Sequence, residues 1–371
     1  MTLLPPRADV RAEALARFDA LAKPLGSLGR LEELGAWIGA CQGSCPPRKL
    51  ERVTAIVPAG DHGVVASGVA AYPKEITAAM VRTLVAGVAG MSVLAAQHGV
   101  PVRVLDIAVD DDLEGVPAEV TAYKIRRSSQ PIDTQDAITL DELDEALAKG
   151  SAIVAEEEAA GTQLLVMGDL GIGNTSPAAA LIASTLGLRA DQVTGRGAGL
   201  DDEGLARKTA VIQQALDRTA HITDPRARLA ALGSADLAFA VGVMVAAARA
   251  GIPVLLDGVI SVAEALVADS LEPGARAWFA AGHRSPEPAQ ALALEALGLV
   301  PIIDLGMRLG EGSGAMTALP VLRSAVIALH DMALLADLMP PETAPDAAPN
   351  SAPDAAPNSA PEAAAEPAPA P

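Results

Sequence analysis

Six apolar runs of three to five residues recur along the chain, separated by longer stretches with helical spacing. They are Val53–Val57, Val102–Leu105, Leu164–Met167, Val254–Leu256, Ala277–Ala281 and Pro301–Leu305. Runs this short read as strands, and the helix-like stretches between them supply crossovers, which predicts a parallel sheet. Those stretches include Lys74–Gln97, with Pro73 at its expected first turn, Asp141–Ala160, Asp202–Thr219 and Ala235–Ala248. The expectation is a three-layer α/β fold: a mainly parallel six-stranded sheet with helices on both faces. Ala8–Leu21 and Leu28–Ala40 precede the first run as helices, and Ser313–Leu338 follows the last as a helical region that Pro320 should interrupt. Residues 1–50 and 313–340 are therefore expected to form a small helical domain beside an α/β domain at 51–312.

Half of the residues are hydrophobic but only 2% are aromatic, a balance that suits tight helix-on-sheet packing and not base stacking. The net charge is −19, and five of the acids lie after Pro340, which leaves the remainder at −14. A chain this acidic lacks the clustered cations that nucleic acid needs, so none is expected as a partner. Residues 341–371 repeat the octapeptide APDAAPNS from Ala344 and from Ala352 and contain nothing able to fill a core, so a disordered tail is expected. Cys41 and Cys45 lack a second pair or a nearby His and read as incidental thiols. Charged residues run through Met1–Leu15, unlike a signal peptide, and the uncharged run Leu237–Ala248 is too short to span a bilayer. A cytoplasmic protein with no membrane partner is expected.

The polar residues fall where function would place them. Five of the six runs lead into Gly-containing polar loops: residues 58–63, 168–175, 257–258, 282–285 and 306–314. In an open parallel sheet, ligands bind at the carboxyl ends of the strands, so loops of this kind point to an active site. Gly168–Pro177 could bring backbone N–H groups and a helix N-terminus to a phosphate, although an ordinary capped turn has the same spacing. Gly195-Arg-Gly-Ala-Gly199, with Lys208 in the next helix, admits the same two readings. Glu311 stands between Gly310 and Gly312, ahead of an apolar helix. It is either a base with a raised pKa or an acid placed for the helix dipole. His62 and His283 lack metal-ligand spacing and read as orienting residues, and no G-x-S-x-G elbow occurs.

Taken in order, these motifs resemble the nicotinate-nucleotide:dimethylbenzimidazole phosphoribosyltransferase family. The resemblance runs from Lys23–Glu32 to about Ala336, through Ala59–Gly63, Tyr72-Pro73 with Thr77, Gly168–Pro177, Leu255–Gly258, Gly282-His283 with Ser285, and Arg308–Ala315. It implies a homodimer that takes nicotinate mononucleotide and 5,6-dimethylbenzimidazole, with no metal or other cofactor. It implies that Glu311 is the proton acceptor and that Asp169 faces the substrates, where some members carry Glu. The phosphate and ribose loops match Gly171, Gly173, Asn174 and Thr175, then Gly195, Gly197 and Gly199, with the family lysine at Lys208. The aromatic base's pocket matches Met80, Leu170 and Leu309. The implied chemistry needs a base and no acid, because a quaternised nicotinate leaves without a proton whereas benzimidazole must lose its N–H as it attacks. Two rivals stand beside this expectation: transfer to another acceptor base, which a Met80-lined aliphatic pocket could admit, and a nucleotide-binding protein without activity.

Overall fold

The computed structural model describes residues 3–338, so the expectation for the tail at 341–371 lies outside the described residues. Its centre is a five-stranded, all-parallel sheet of β1 (Val53–Gly60), β2 (Val102–Ala108), β3 (Leu164–Met167), β4 (Val254–Leu256) and β5 (Phe279–Ala281), in the order β2-β1-β3-β4-β5. The pleat sends successive side chains to opposite faces. Leu165, Met167, Val254 and Leu256 accordingly join one buried cluster, while Leu164, Val166 and Leu255 join another. Both faces are covered, which explains why the strands read as continuous apolar runs without polar alternation.

The first face is covered by Leu140–Ala160, Thr175–Leu186, Ala235–Ala250 and Val259–Leu271, which contribute Leu143, Ile182, Phe239 and Val262 to its cluster. The helix Leu140–Ala160 begins with a capping box in which Thr139 and Glu142 satisfy each other's backbone N–H groups. The second face is covered by Ile76–Val85, Gly90–Gln97 and the first half of Ser313–Asp331, through Val81, Met91 and Leu319. The far end of Ser313–Asp331 packs with Ala8–Ala20 and Arg30–Gln42 around a third cluster of Phe18, Leu21, Ala36 and Leu329.

Four sequence expectations are corrected. Pro301–Leu305 is not a sixth strand: only Ile303 bridges to His283. Pro301 has no N–H to offer a ladder, and Asp304 to Gly306 turn outward into solvent. Lys74–Gln97 is two helices, parted at a turn where Gly87 takes φ +78°, and Pro73 precedes the first helix rather than opening it. That turn also divides the stretch Ile76–Gln97, which is apolar enough by composition to cross a membrane, into helices of ten and eight residues. Finally, Pro320 does not interrupt its helix, which runs unbroken from Ser313 to Asp331. The fifth strand is shorter than expected, because Ala275–Trp278 forms a 3-10 turn before it.

Helices Leu140–Ala160 and Ala235–Ala250 approach closely because each presents a glycine at the crossing. A Cβ on Gly242 would lie 2.7 Å from the Leu147 carbonyl oxygen, and one on Gly150 would lie 2.7 Å from the Val243 nitrogen. Gly150→Ala should therefore lower stability by about 1–3 kcal/mol through overpacking, read by urea unfolding. Unchanged stability would mean that the two helices can part without loss.

Candidate active site

The strand order reverses between β1 and β3, since β2 lies on one side of β1 and β3 to β5 follow on the other. Loops leaving two such strands diverge and open a crevice at their carboxyl ends. A cavity of about 700 Å³ lies there, walled by the segments after β1, β3, β4 and β5 and by the loop before Ser313, a size suited to a small-molecule ligand.

Glu311 is on this wall. Residues Gly310, Glu311 and Gly312 take φ values of 83°, 63° and 94°, so three successive residues are left-handed. Glycine adopts that region freely, whereas a glutamate there costs on the order of 1 kcal/mol. Two features hold the loop in place. The Glu311 carbonyl passes so close to Gly168, at the end of β3, that a Cβ there would overlap it. The Asp257 carboxylate, at the end of β4, accepts from Gly312 N–H at 3.2 Å and Ala315 N–H at 2.9 Å, so it caps the helix from outside its own chain segment. The Glu311 side chain is only 6% exposed, and its Oε2 has no hydrogen-bond partner among the described residues. Burial pushes its pKa above the ordinary 4.5, the Met91 N–H opposes this, and the charge of Asp257 adds to it.

Asp169 follows β3 on the same wall. Its Oδ1 accepts from Asn174 Nδ2 at 2.7 Å, and its Oδ2 is unpartnered. Burial and then the charge of Asp236 push its pKa to about 8, against His62 and Asn174. Asp169 therefore holds a proton more tightly than a free carboxylate does. His62 sits behind it, 3.4 Å from Asp236, with its ring against Gly171, where a Cβ would lie 2.6 Å from Nε2. His283 lies 3.5 Å from Asp257, and its ring packs against Gly314. His283 Nδ1 also pairs with the Arg284 carbonyl at 3.1 Å, whereas neither ring nitrogen of His62 bonds backbone. No cluster of three or more His, Cys, Asp or Glu side chains suited to a metal occurs among the described residues.

The opposite end of the cavity is made of glycine loops. Gly171, Gly173, Asn174 and Thr175 line it as the chain enters the helix Thr175–Leu186, and Gly197 lines it from the second loop. Gly195 and Gly199 belong to that loop without reaching the wall. Lys208 lies beneath it, 1% exposed, and donates to Thr175 Oγ1 at 2.7 Å and to the Gly195 carbonyl at 3.0 Å. Burial lowers its pKa to about 8, while the charge of Glu287 opposes the fall. Met80, Leu170 and Leu309 also line the cavity, as do Tyr72 and Ile76, which the sequence reading did not assign to a pocket. Thr77, itself buried, accepts from the Ile172 N–H at 3.1 Å and so ties the helix Ile76–Val85 to the Gly171–Thr175 loop.

Asp257 and Glu287 are wall residues that the sequence reading did not assign to the site. The signal for Asp257 was its position at the end of a strand. Nothing local distinguishes Glu287, because its partner Gly197 is 90 residues away.

A phosphoribosyltransferase family model, DBI_PRT, matches residues 3–338. The nicotinate-nucleotide–dimethylbenzimidazole phosphoribosyltransferase of Mycolicibacterium paratuberculosis is 52% identical over 338 residues, covering 90% of this chain and 96% of the relative. The enzyme of that name from Mycobacterium tuberculosis is 50% identical over 333 residues, covering 90% and 92%. The crystal structure of CobT from Thermus thermophilus superposes with a TM-score of 0.85 at 41% identity, covering 89% of this chain and 98% of that one.

Asp257→Ala would leave two N–H groups at the start of the Ser313–Asp331 helix without their acceptor. It should destabilise the protein by about 2–4 kcal/mol, since each bond is to a charged acceptor. A loss below about 0.5 kcal/mol in urea unfolding would show that the carboxylate does not hold this loop.

Proposed function

The chain belongs to the nicotinate-nucleotide–dimethylbenzimidazole phosphoribosyltransferase family, and from that premise we propose which of its residues carry the reaction. The reaction moves the phosphoribosyl group of nicotinate mononucleotide to 5,6-dimethylbenzimidazole. Its products are nicotinate and α-ribazole 5′-phosphate for the nucleotide loop of cobalamin.

Glu311 is the general base in this account. The observation that carries it is a buried carboxylate on the cavity wall, raised in pKa, with an unpartnered Oε2 beside the apolar group of Met80, Leu170 and Leu309. That apolar group takes the benzimidazole ring. One ring nitrogen attacks the anomeric carbon while the N–H of the other loses its proton to Glu311. The bond to nicotinate breaks as the new bond forms, and its electron pair returns to the pyridinium ring, so the leaving group needs no acid. Attack from the face opposite nicotinate turns a β-nucleotide into the α-ribotide.

The phosphate belongs at the glycine end, between the Gly171–Thr175 loop and the loop that brings Gly197 to the wall, over Lys208. Held there, it fixes the ribose in attack geometry. Asp169 faces the ribose between the two ends. Its unpartnered Oδ2 would stabilise positive charge developing on the ribosyl group. The reading extends to a cytoplasmic homodimer with a small helical domain from residues 1–50 and 313–340. It is supported by the family resemblance and by the third cluster, which joins helices from the two chain ends.

Glu311→Gln keeps the shape and removes the proton acceptor, so turnover should fall about 100-fold or more. Wild-type turnover should also decline as pH falls through an apparent pKa above 4.5, because the base works only when deprotonated. A variant that keeps more than about a third of wild-type turnover would remove Glu311 from this role. Lys208→Ala should weaken nicotinate mononucleotide by about 1.5–3 kcal/mol and leave dimethylbenzimidazole nearly unchanged. Equal losses in a titration of the two ligands would mean that Lys208 acts through folding.

A further inference from the structure

A buried ammonium needs a counter-charge, and the two acceptors that Lys208 contacts, Thr175 Oγ1 and the Gly195 carbonyl, are both neutral. The charge comes from Glu287, the residue that precedes the helix Pro288–Leu297. Its Oε1 accepts from the Gly197 N–H at 2.8 Å. Its other oxygen lies against Gly195, where any Cβ would overlap it. Glu287 also lines the cavity, and its charge acts on Lys208 against the effect of burial.

The carboxylate is held in this place. Ser285 Oγ accepts from the Glu287 N–H at 3.2 Å, and Gln290 Oε1 accepts from the Ser285 N–H at 2.6 Å. The Gln290 amide then donates to the His283 carbonyl at 2.9 Å, which ties the whole segment to the end of β5. An anionic oxygen on a backbone N–H of a glycine loop, beside a buried lysine, is also the arrangement that a phosphate oxygen makes.

We propose that Glu287 is a resident anion in the phosphate subsite: it occupies the Gly197 N–H and balances Lys208 while the site is empty, and the substrate phosphate replaces it. The proposal rests on the phosphate subsite assigned above and adds how that subsite is filled. Phosphate entry becomes an exchange of one anion for another, so Lys208 never sits in the interior without a counter-charge. Weakly coordinating anions gain nothing by entering, because the position they would take is already filled. The cost is affinity, since part of each phosphate's attraction is used to displace the carboxylate.

Glu287→Gln tests this, because the amide oxygen can still face Gly197 while the charge is gone. KM for nicotinate mononucleotide should fall about fivefold or more, further than any change in kcat, and inorganic phosphate should inhibit more tightly by a similar factor. KM for dimethylbenzimidazole should not follow. A residue that only shaped the loop would give the opposite sign, and an equal or higher KM for nicotinate mononucleotide overturns the proposal. A second measurement needs no variant: in a crystal of the unaltered protein with inorganic phosphate, a phosphate oxygen should take the Gly197 N–H and Glu287 should have moved off it. Phosphate bound with Glu287 still on Gly197 also overturns it. Lys208→Ala separates the two levels. If it leaves phosphate inhibition unchanged, the phosphate subsite is wrongly assigned and Glu287 falls with it. If it weakens inhibition while Glu287→Gln does not strengthen it, only the resident-anion proposal fails.

Discussion

The Asp257 carboxylate accepts two hydrogen bonds from the first turn of the Ser313–Asp331 helix, and the shape of the cavity depends on them. They tie the end of β4 to the loop that carries Glu311 across a gap of more than fifty residues in sequence. With the Ser313 N–H and Oγ, which both donate to the Gly310 carbonyl, they hold three successive left-handed residues in place. Gly168 closes the clamp from the other side, because only a residue without a Cβ lets the Glu311 carbonyl settle against the end of β3. Glu311 is thus placed by two strands to which it does not belong, which is how a residue in a loop gains the precision of a sheet.

Burial then sorts the cavity's charges. At one end Glu311 and Asp169 lose hydration and hold protons more tightly than free carboxylates do. At the other, Lys208 loses hydration and holds its proton less tightly. Both shifts follow from one cause, the cost of an uncompensated charge in the interior. The proposed substrate, with a phosphate at one end and a ribosyl group that becomes cationic near the other, would complement this division. The apolar wall beside Glu311 supplies the remaining requirement, a surface for a neutral aromatic ring.

The sheet was legible where burial on both faces forced continuous apolar runs, as at Leu164–Met167 and Val254–Leu256, whose bounds match the strands. It misled at Pro301–Leu305, where only Ile302 and Ile303 make backbone bonds to the end of β5, because a proline and an outward turn end the ladder. Helix length was overread at Lys74–Gln97, since the turn at Gly87 is a backbone choice that helical spacing does not reveal. At the cavity, the residues brought to the wall include Glu311, Asp169, Gly171, Asn174 and Leu309, each carried by a motif, and Met80, which only the family resemblance pointed to. Asp257 and Glu287 were not assigned because their partners are 55 to 90 residues distant, and such contacts leave no local pattern.

On the proposed reading, Glu311 and the glycine loops hold the two substrates for displacement at the anomeric carbon from opposite faces. The configuration of the product at that carbon tests this most directly. Incubation with nicotinate mononucleotide and dimethylbenzimidazole, followed by proton NMR of the purified ribotide, should give the α-anomer together with an equal amount of free nicotinate. A β-anomer, or nicotinate released with free ribose 5-phosphate in place of a ribotide, would contradict the account.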